Sequence, residues 1–260
     1  MISVLRWVAL AAALALAQGA AVAGRTCEQQ LPLAANVQRS MDLAQRTAQA
    51  LEASGAQVVV LARAGQDLGR YRLRWSHLGL AYRDEGRWRV VHKLNTCGSA
   101  HADLYRQGLG EFFMDDLHRY EAAWVVPTAA IQEQLLPLLR DNDRIDDLHT
   151  RAYNMVAYPW ARQYQQSNQW ALETLAMSQE PAATTRERAQ AWLQLRGYEP
   201  TVLRIPALTR LGARMGSSHI AFDDHPNSKR FADRIETVTV DSVFGWMARA
   251  GLGGGVQVLR

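Results

Sequence analysis

Along the 260-residue chain the spacing of apolar positions changes repeatedly, and each change marks an element. Val37, Met41, Ala44, Ala48 and Leu51 recur at alternating steps of four and three, the period of one helix face, and Gly55 ends the run. Val58 to Ala62 is a short unbroken apolar run of the kind a buried strand carries, and Arg63 to Asp67 follows as a loop. From Tyr71 to Asn95 the pattern is that of a β-hairpin. Trp75, Leu78, Leu80 and Tyr82 supply the first arm, Asp84-Glu85-Gly86 the bend, and Trp88, Val90 and Val91 the return. Ala100 to Gly110 reads as a helix or loop, and Ala122 to Val126 as a strand stopped by Pro127.

Helical spacing returns over Ala129 to Leu139, despite Pro137, and again from near Ser167 through Ala176. Arg186 to Leu195 is an amphipathic helix ended by Gly197, and Tyr198 to Leu208, with two prolines, is extended. Thr237 to Val243 alternates like a strand before a last helix, Phe244 to Ala250, and Gly251 to Gln257 reads as a frayed tail. Short strands followed by helices give an α+β fold.

The N-terminus stands apart from this pattern. Arg6, an apolar run from Trp7 to Ala17 and the small residues Ala21-Val22-Ala23 have the layout of a cleaved signal peptide, residues 1–23. The remainder, 24–260, is expected to be one exported domain, periplasmic or secreted, without a transmembrane segment. In that oxidising setting the two cysteines, Cys27 and Cys97, are most simply a disulfide, with a catalytic thiol at Cys97 as the rival reading. The formal charge of +4 is spread over isolated arginines, so nucleic acid is not implied as a partner.

Candidate chemistry follows from where polar residues interrupt the pattern. His77 and His92 lie on opposite arms of the hairpin, where two imidazoles can meet across the strands and handle a proton near neutral pH. Ser167 falls at or beside a helix start, where serine serves either as an N-cap or as a nucleophile whose oxyanion the free amides hold. His101 and His118 have no partner at metal-ligand spacing, and the charged run Arg140 to Asp147 does not match a calcium loop. Phe222-Asp223-Asp224-His225-Pro226 reads as a turn in which Asp224 or His225 bonds its own backbone. No cofactor and no metal are implied.

Two resemblances bear on these residues. The order Ser-His-Leu-Gly, a second His about fifteen residues on, and an aromatic-rich segment entering a helix resembles the circularly permuted branch of the NlpC-type, papain-like superfamily, which includes lecithin:retinol acyltransferase and bacterial cell-wall amidases. That resemblance implies an antiparallel sheet packed against helices, with a core over 24–180 and a C-terminal extension over 181–260. His77 then matches the general base, His92 the residue that orients it, and Ser167 the nucleophile, a serine where the superfamily has cysteine. It further implies a hydrolase or acyltransferase acting on a cell-wall peptide or a lipid acyl group, or else a non-catalytic module that keeps the cleft for a peptide, glycan or lipid. RAGQDLGRYRLRWSHLGLA, VVHKLNTCG, AYPWARQYQQSNQW, FDDHP and TVTVDSV together resemble a family of exported bacterial proteins known as domain of unknown function 2145, a name that carries no activity.

Overall fold

The computed structural model describes residues 32–115 and 117–260. The signal-peptide segment 1–23 and Cys27 lie outside the described residues, and the expected Cys27–Cys97 pairing with them.

Helix α1 (Ala34–Ala53) forms where the four-and-three spacing predicts it, and strand β1 (Val58–Ala64) follows, buried along its whole length. The hairpin is β2 (His77–Asp84) and β3 (Arg87–Asn95), turned at Glu85 and Gly86, both with positive φ (47° and 78°). That pair of left-handed residues is the two-residue turn whose twist suits a hairpin. β4 (Ala102–Gly108) corrects the helix-or-loop reading of Ala100 to Gly110: its residues complete the sheet beside β3. It is an edge strand with both faces only partly covered, so its sequence carries no clean alternation.

A short helix α2 (Leu109–Phe113) leads to β5 (Arg119–Val125), and α3 (Ala129–Arg140) and α4 (Asn142–Asp146) follow. Then come α5 (Ser167–Gln179), α6 (Arg186–Leu195), β6 (Thr201–Arg204) and α7 (Ala207–Gly216), and after them α8 (Asn227–Arg230), β7 (Arg234–Thr237), α9 (Val240–Arg249) and β8 (Gln257–Leu259). Two C-terminal expectations are corrected. TVTVDSV is mainly a helix start, because Thr239 caps α9 through the Ser242 amide while Ser242 Oγ accepts from the Thr239 amide. The glycine-rich tail ends as β8, paired with β5 at the sheet edge.

The six-stranded sheet has the order β4-β3-β2-β1-β5-β8 with every pairing antiparallel, and β6 and β7 form a separate ribbon. Helices cover both of its faces. Val60, Ala62, Leu78, Leu80 and Val91 point to one side and pack against α3, α5, α6 and α9, with Trp170 and Trp246 fully buried among them. Val59, Leu61, Ala81 and Val90 point to the other, against α1 and α2. A third, smaller core joins the ribbon to Leu73, Met155 and Val156. None of the helices among the described residues is long and apolar enough to cross a membrane.

Candidate functional site

Strand register builds the first part of the site. Arg63 on β1 lies directly opposite His77 on β2. One step beyond the Leu80–Val91 pair, His92 on β3 falls diagonal to His77, and the Val90–Gln107 pair puts Gln107 of β4 diagonal to His92. Residues opposite or diagonal across strands share a face. Arg63, His77, His92 and Gln107 therefore form a polar row across four strands, on the face covered by α1 and α2.

Hydrogen bonds along that row fix its protons. His92 Nε2 is 2.8 Å from Gln107 Oε1, and His77 Nε2 is 2.8 Å from His92 Nδ1. An amide oxygen only accepts, so His92 carries its proton on Nε2 and its Nδ1 accepts from His77 Nε2–H. His77 Nδ1 is left as a lone pair. A neutral imidazole with a free nitrogen is what a general base requires.

The surroundings keep both rings neutral. Burial, with the Arg63 guanidinium and His92 nearby, holds His77 well below the usual imidazole range. Burial and Arg63 bring His92 down to about 3, against the opposing effect of its hydrogen bond to Gln107 Oε1. Phe112 packs against both rings, tilted to His77 with centroids 6.0 Å apart and edge-on to His92 at 5.2 Å. Room for this comes from Gly79, where an added Cβ would stand 2.4 Å from Val90 Cγ1 and 3.1 Å from Phe112 Cε2. Arg63 is itself buried, bonded to the Phe112 carbonyl and to Asp115 at 2.5 Å.

On the opposite face, the start of α5 is held by four of five consecutive buried polar residues. Gln165 Oε1 accepts from the fully buried Lys93 at 2.8 Å and from the Thr150 amide, and its Nε2 donates to Glu173 at 2.6 Å. Gln166 caps the helix by accepting from the Asn168 amide, and its own Nε2 donates to Thr237 and to the Val238 carbonyl. Asn168 Oδ1 accepts from the Leu78 amide at 2.8 Å, which locks the helix start to β2 beside His77. Gln169 donates to the Pro159 carbonyl, and Glu173 pairs with Arg186 at 2.9 Å. Burial, then the Arg186 charge, brings Lys93 down to about 7.

Ser167 is the exception in this run. The cap is Gln166, so the N-cap reading of Ser167 is corrected: the serine is the first residue of the helix. Beside it stands the buried Tyr153, whose phenol burial pushes up to about 12 against an opposing interaction with Ser167. Ser167 and His77 line one cavity of about 270 Å³ over the ends of β1, β2 and β3, together with Arg63, Tyr153, Cys97 and His219. They reach it from opposite faces of the sheet. Among the described residues no hydrogen bond joins Ser167 to His77.

Other sequence candidates resolve differently. Free cysteines are absent among the described residues, which counts against Cys97 as a catalytic thiol. His101 and His118 are exposed and lie outside the row, and no group of three or more described His, Cys, Asp or Glu side chains is placed to hold a metal. The 222–226 segment is a turn in which the His225 amide bonds the Phe222 carbonyl at 3.4 Å, while the Asp224 side chain bonds elsewhere: it accepts from the Tyr158 amide at 2.7 Å and lies 2.9 Å from His225 Nδ1, with His225 Nε2 2.9 Å from the Glu236 carbonyl. It braces the α5 approach against β7. The residues that sequence reasoning overlooked are Gln107, Arg63 and Tyr153; reading ADLYRQG as a strand paired with β3 would have brought Gln107 to His92.

The model of the bacterial family described as "Uncharacterized protein conserved in bacteria (DUF2145)" matches residues 50–247, a span that contains the polar row, Ser167 and Tyr153. No curated protein and no solved structure matches the chain. The chain belongs to that bacterial family.

Proposed function

We propose, with membership of that family as the premise, that the chain is an acyl-transferring enzyme, a hydrolase or acyltransferase, that uses Ser167 as nucleophile and His77 as general base. One observation carries the reading: Ser167, at a helix start, and His77, with Nδ1 unprotonated and its other nitrogen tied through His92 to Gln107, line the same small cavity. An antiparallel sheet bearing the base, followed later in the chain by a helix bearing the nucleophile, also favours the permuted papain-like arrangement. Serine in place of cysteine makes the base essential, because a hydroxyl attacks well only as its proton leaves.

In this mechanism Ser167 Oγ bonds to the carbonyl carbon of an ester or amide as His77 Nδ1 takes the hydroxyl proton. The carbonyl electron pair moves to oxygen, where the Ser167 amide and the positive end of α5 stabilise it. Collapse breaks the bond to the leaving group, which receives the proton from His77. Water or a second hydroxyl or amine then attacks the Ser167 ester, its proton passing to His77 and on to Ser167 Oγ. His92 and Gln107 hold the tautomer throughout. Tyr153 stands beside Ser167 as a second polar group at the hydroxyl. The setting is the periplasm or the cell exterior, with residues 1–23 as the leader and a Cys27–Cys97 disulfide.

A second reading, a non-catalytic binding module, draws on that same Tyr153, which stands beside Ser167. A fluorophosphonate probe separates the two. Phosphonylation of the wild type, abolished in Ser167→Ala and reduced on the order of a hundredfold or more in His77→Ala, is expected of the enzyme. A folded wild type that is not labelled favours the binding module.

A further inference from the structure

A larger cavity, about 590 Å³, adjoins the small one, and Gly65, Gln66, Ser76 and Met155 line both. Its volume is that of a small-molecule site. Leu73, Trp75, Val156, Leu203, Ile220 and Phe222 supply an apolar wall, while Asp67, Arg70 and His118 stand among its polar lining. Most of that wall belongs to the third hydrophobic core, which borders the cavity where it opens toward the surface. Hydrocarbon laid against that apolar wall would remove apolar surface from water, which is favourable.

Helix α7 adds an independent observation. Thr209 and Ala213 line the cavity, while Leu208, Leu211 and Met215, spaced along its outer side, are 84%, 57% and 80% exposed. Arg204 and Arg214 are exposed on the same segment. A wall of the cavity is thus an amphipathic helix with an uncovered apolar face and positive charge beside it, the features of an element that meets amphiphiles.

We propose that this cavity holds the apolar tail of a long-chain acyl ester or amide, with the acyl carbonyl placed at Ser167; the carbonyl half of the statement rests on Ser167 being the nucleophile. The tail runs between the ribbon and the loop after β1, and the leaving group faces the small cavity lined by Cys97 and His219.

Displacement of the fluorescent fatty acid cis-parinarate from the wild-type protein by octanoate, decanoate, laurate and myristate tests the tail site. Affinity should rise about fourfold per added methylene until the cavity is full. Ala213→Trp and the more exposed Thr209→Trp each fill the space from α7 and should weaken parinarate binding about fifteenfold, the equivalent of two methylenes. Failure of the folded wild type to bind parinarate, affinity independent of chain length, or indifference to both tryptophans overturns the tail site, even if the fluorophosphonate labels Ser167. Parinarate binding without labelling keeps the tail site and removes the nucleophile. Co-sedimentation with phosphatidylglycerol vesicles, lost in Leu208→Glu and Met215→Glu, identifies a membrane lipid as the acyl source; fatty-acid binding without co-sedimentation identifies a soluble acyl donor.

Discussion

Two buried polar groups, one on each face of the same sheet, behave in opposite ways. On the α5 side, Lys93, Gln165, Glu173 and Arg186 bond to one another and to backbone carbonyls, away from both cavities. On the α1 side, the row of His92 and His77 begins at Gln107 and ends at His77, which lines a cavity and has one ring nitrogen not used in the row. A network whose members satisfy one another rigidifies its surroundings. A row with one valence left over at a cavity is available for chemistry. The first group holds the helix start that bears Ser167, and the second presents the base.

The largest effect should come from breaking the closed network. Glu173→Ala leaves the Arg186 guanidinium buried without its carboxylate and leaves Gln165 Nε2 with only the Leu148 carbonyl as acceptor. The expected loss is about 3–5 kcal/mol in urea unfolding. A change below about 1 kcal/mol would mean that the network is open to water and that the contrast between the faces is false.

Next comes Gly79→Ala, which adds a methyl between Val90 and Phe112. Overpacking there should cost about 1–3 kcal/mol and move the rings apart, so that labelling of Ser167 falls more steeply than stability. Equal labelling by the folded variant would show that the His77–His92 contact is not needed for reactivity.

The smallest effect at any single pH step is a slope. Both histidines are neutral in the native protein, whereas in the unfolded chain they take up protons below about pH 6.5. Their folded pKa values are lowered, so their contribution is complete above that pH and is lost on acidification, for His92 until about 3. Unfolding free energy should therefore fall by about 1.4 kcal/mol per pH unit for each histidine in that window. In His92→Gln the slope should be shallower by one such increment. Identical slopes in the two proteins would contradict the burial argument.

How much of this was legible in the sequence depends on how sharply each element was patterned. The hairpin was readable because its apolar bulk and a turn-forming Asp-Glu-Gly coincide, and the two histidines came with it. α5 was readable from Trp170, Leu172 and Leu175, which put Ser167 at a helix start. Gln107 was not, because an edge strand such as Ala102–Gly108 mixes polar residues on both faces. The same limit concealed β8, whose three residues gain their conformation only from pairing with β5. Thr239 misled because a capping threonine between two valines alternates as a strand does, and only the Ser242 contact distinguishes them. The larger cavity had no local signature at all, since its wall is drawn from segments as distant as Leu73, Val156, Leu203 and Phe222.

The central claim is that Ser167 is activated by a histidine kept neutral by burial. The most direct test is the rate of fluorophosphonate modification as a function of pH, with the modified residue located by peptide mass spectrometry. A single adduct is expected, on Ser167, formed at a rate that does not fall as the pH is lowered through the ordinary imidazole range, because burial holds His77 well below it. An adduct on another residue, no adduct on the folded protein, or a rate that falls with the ordinary imidazole pKa would contradict it.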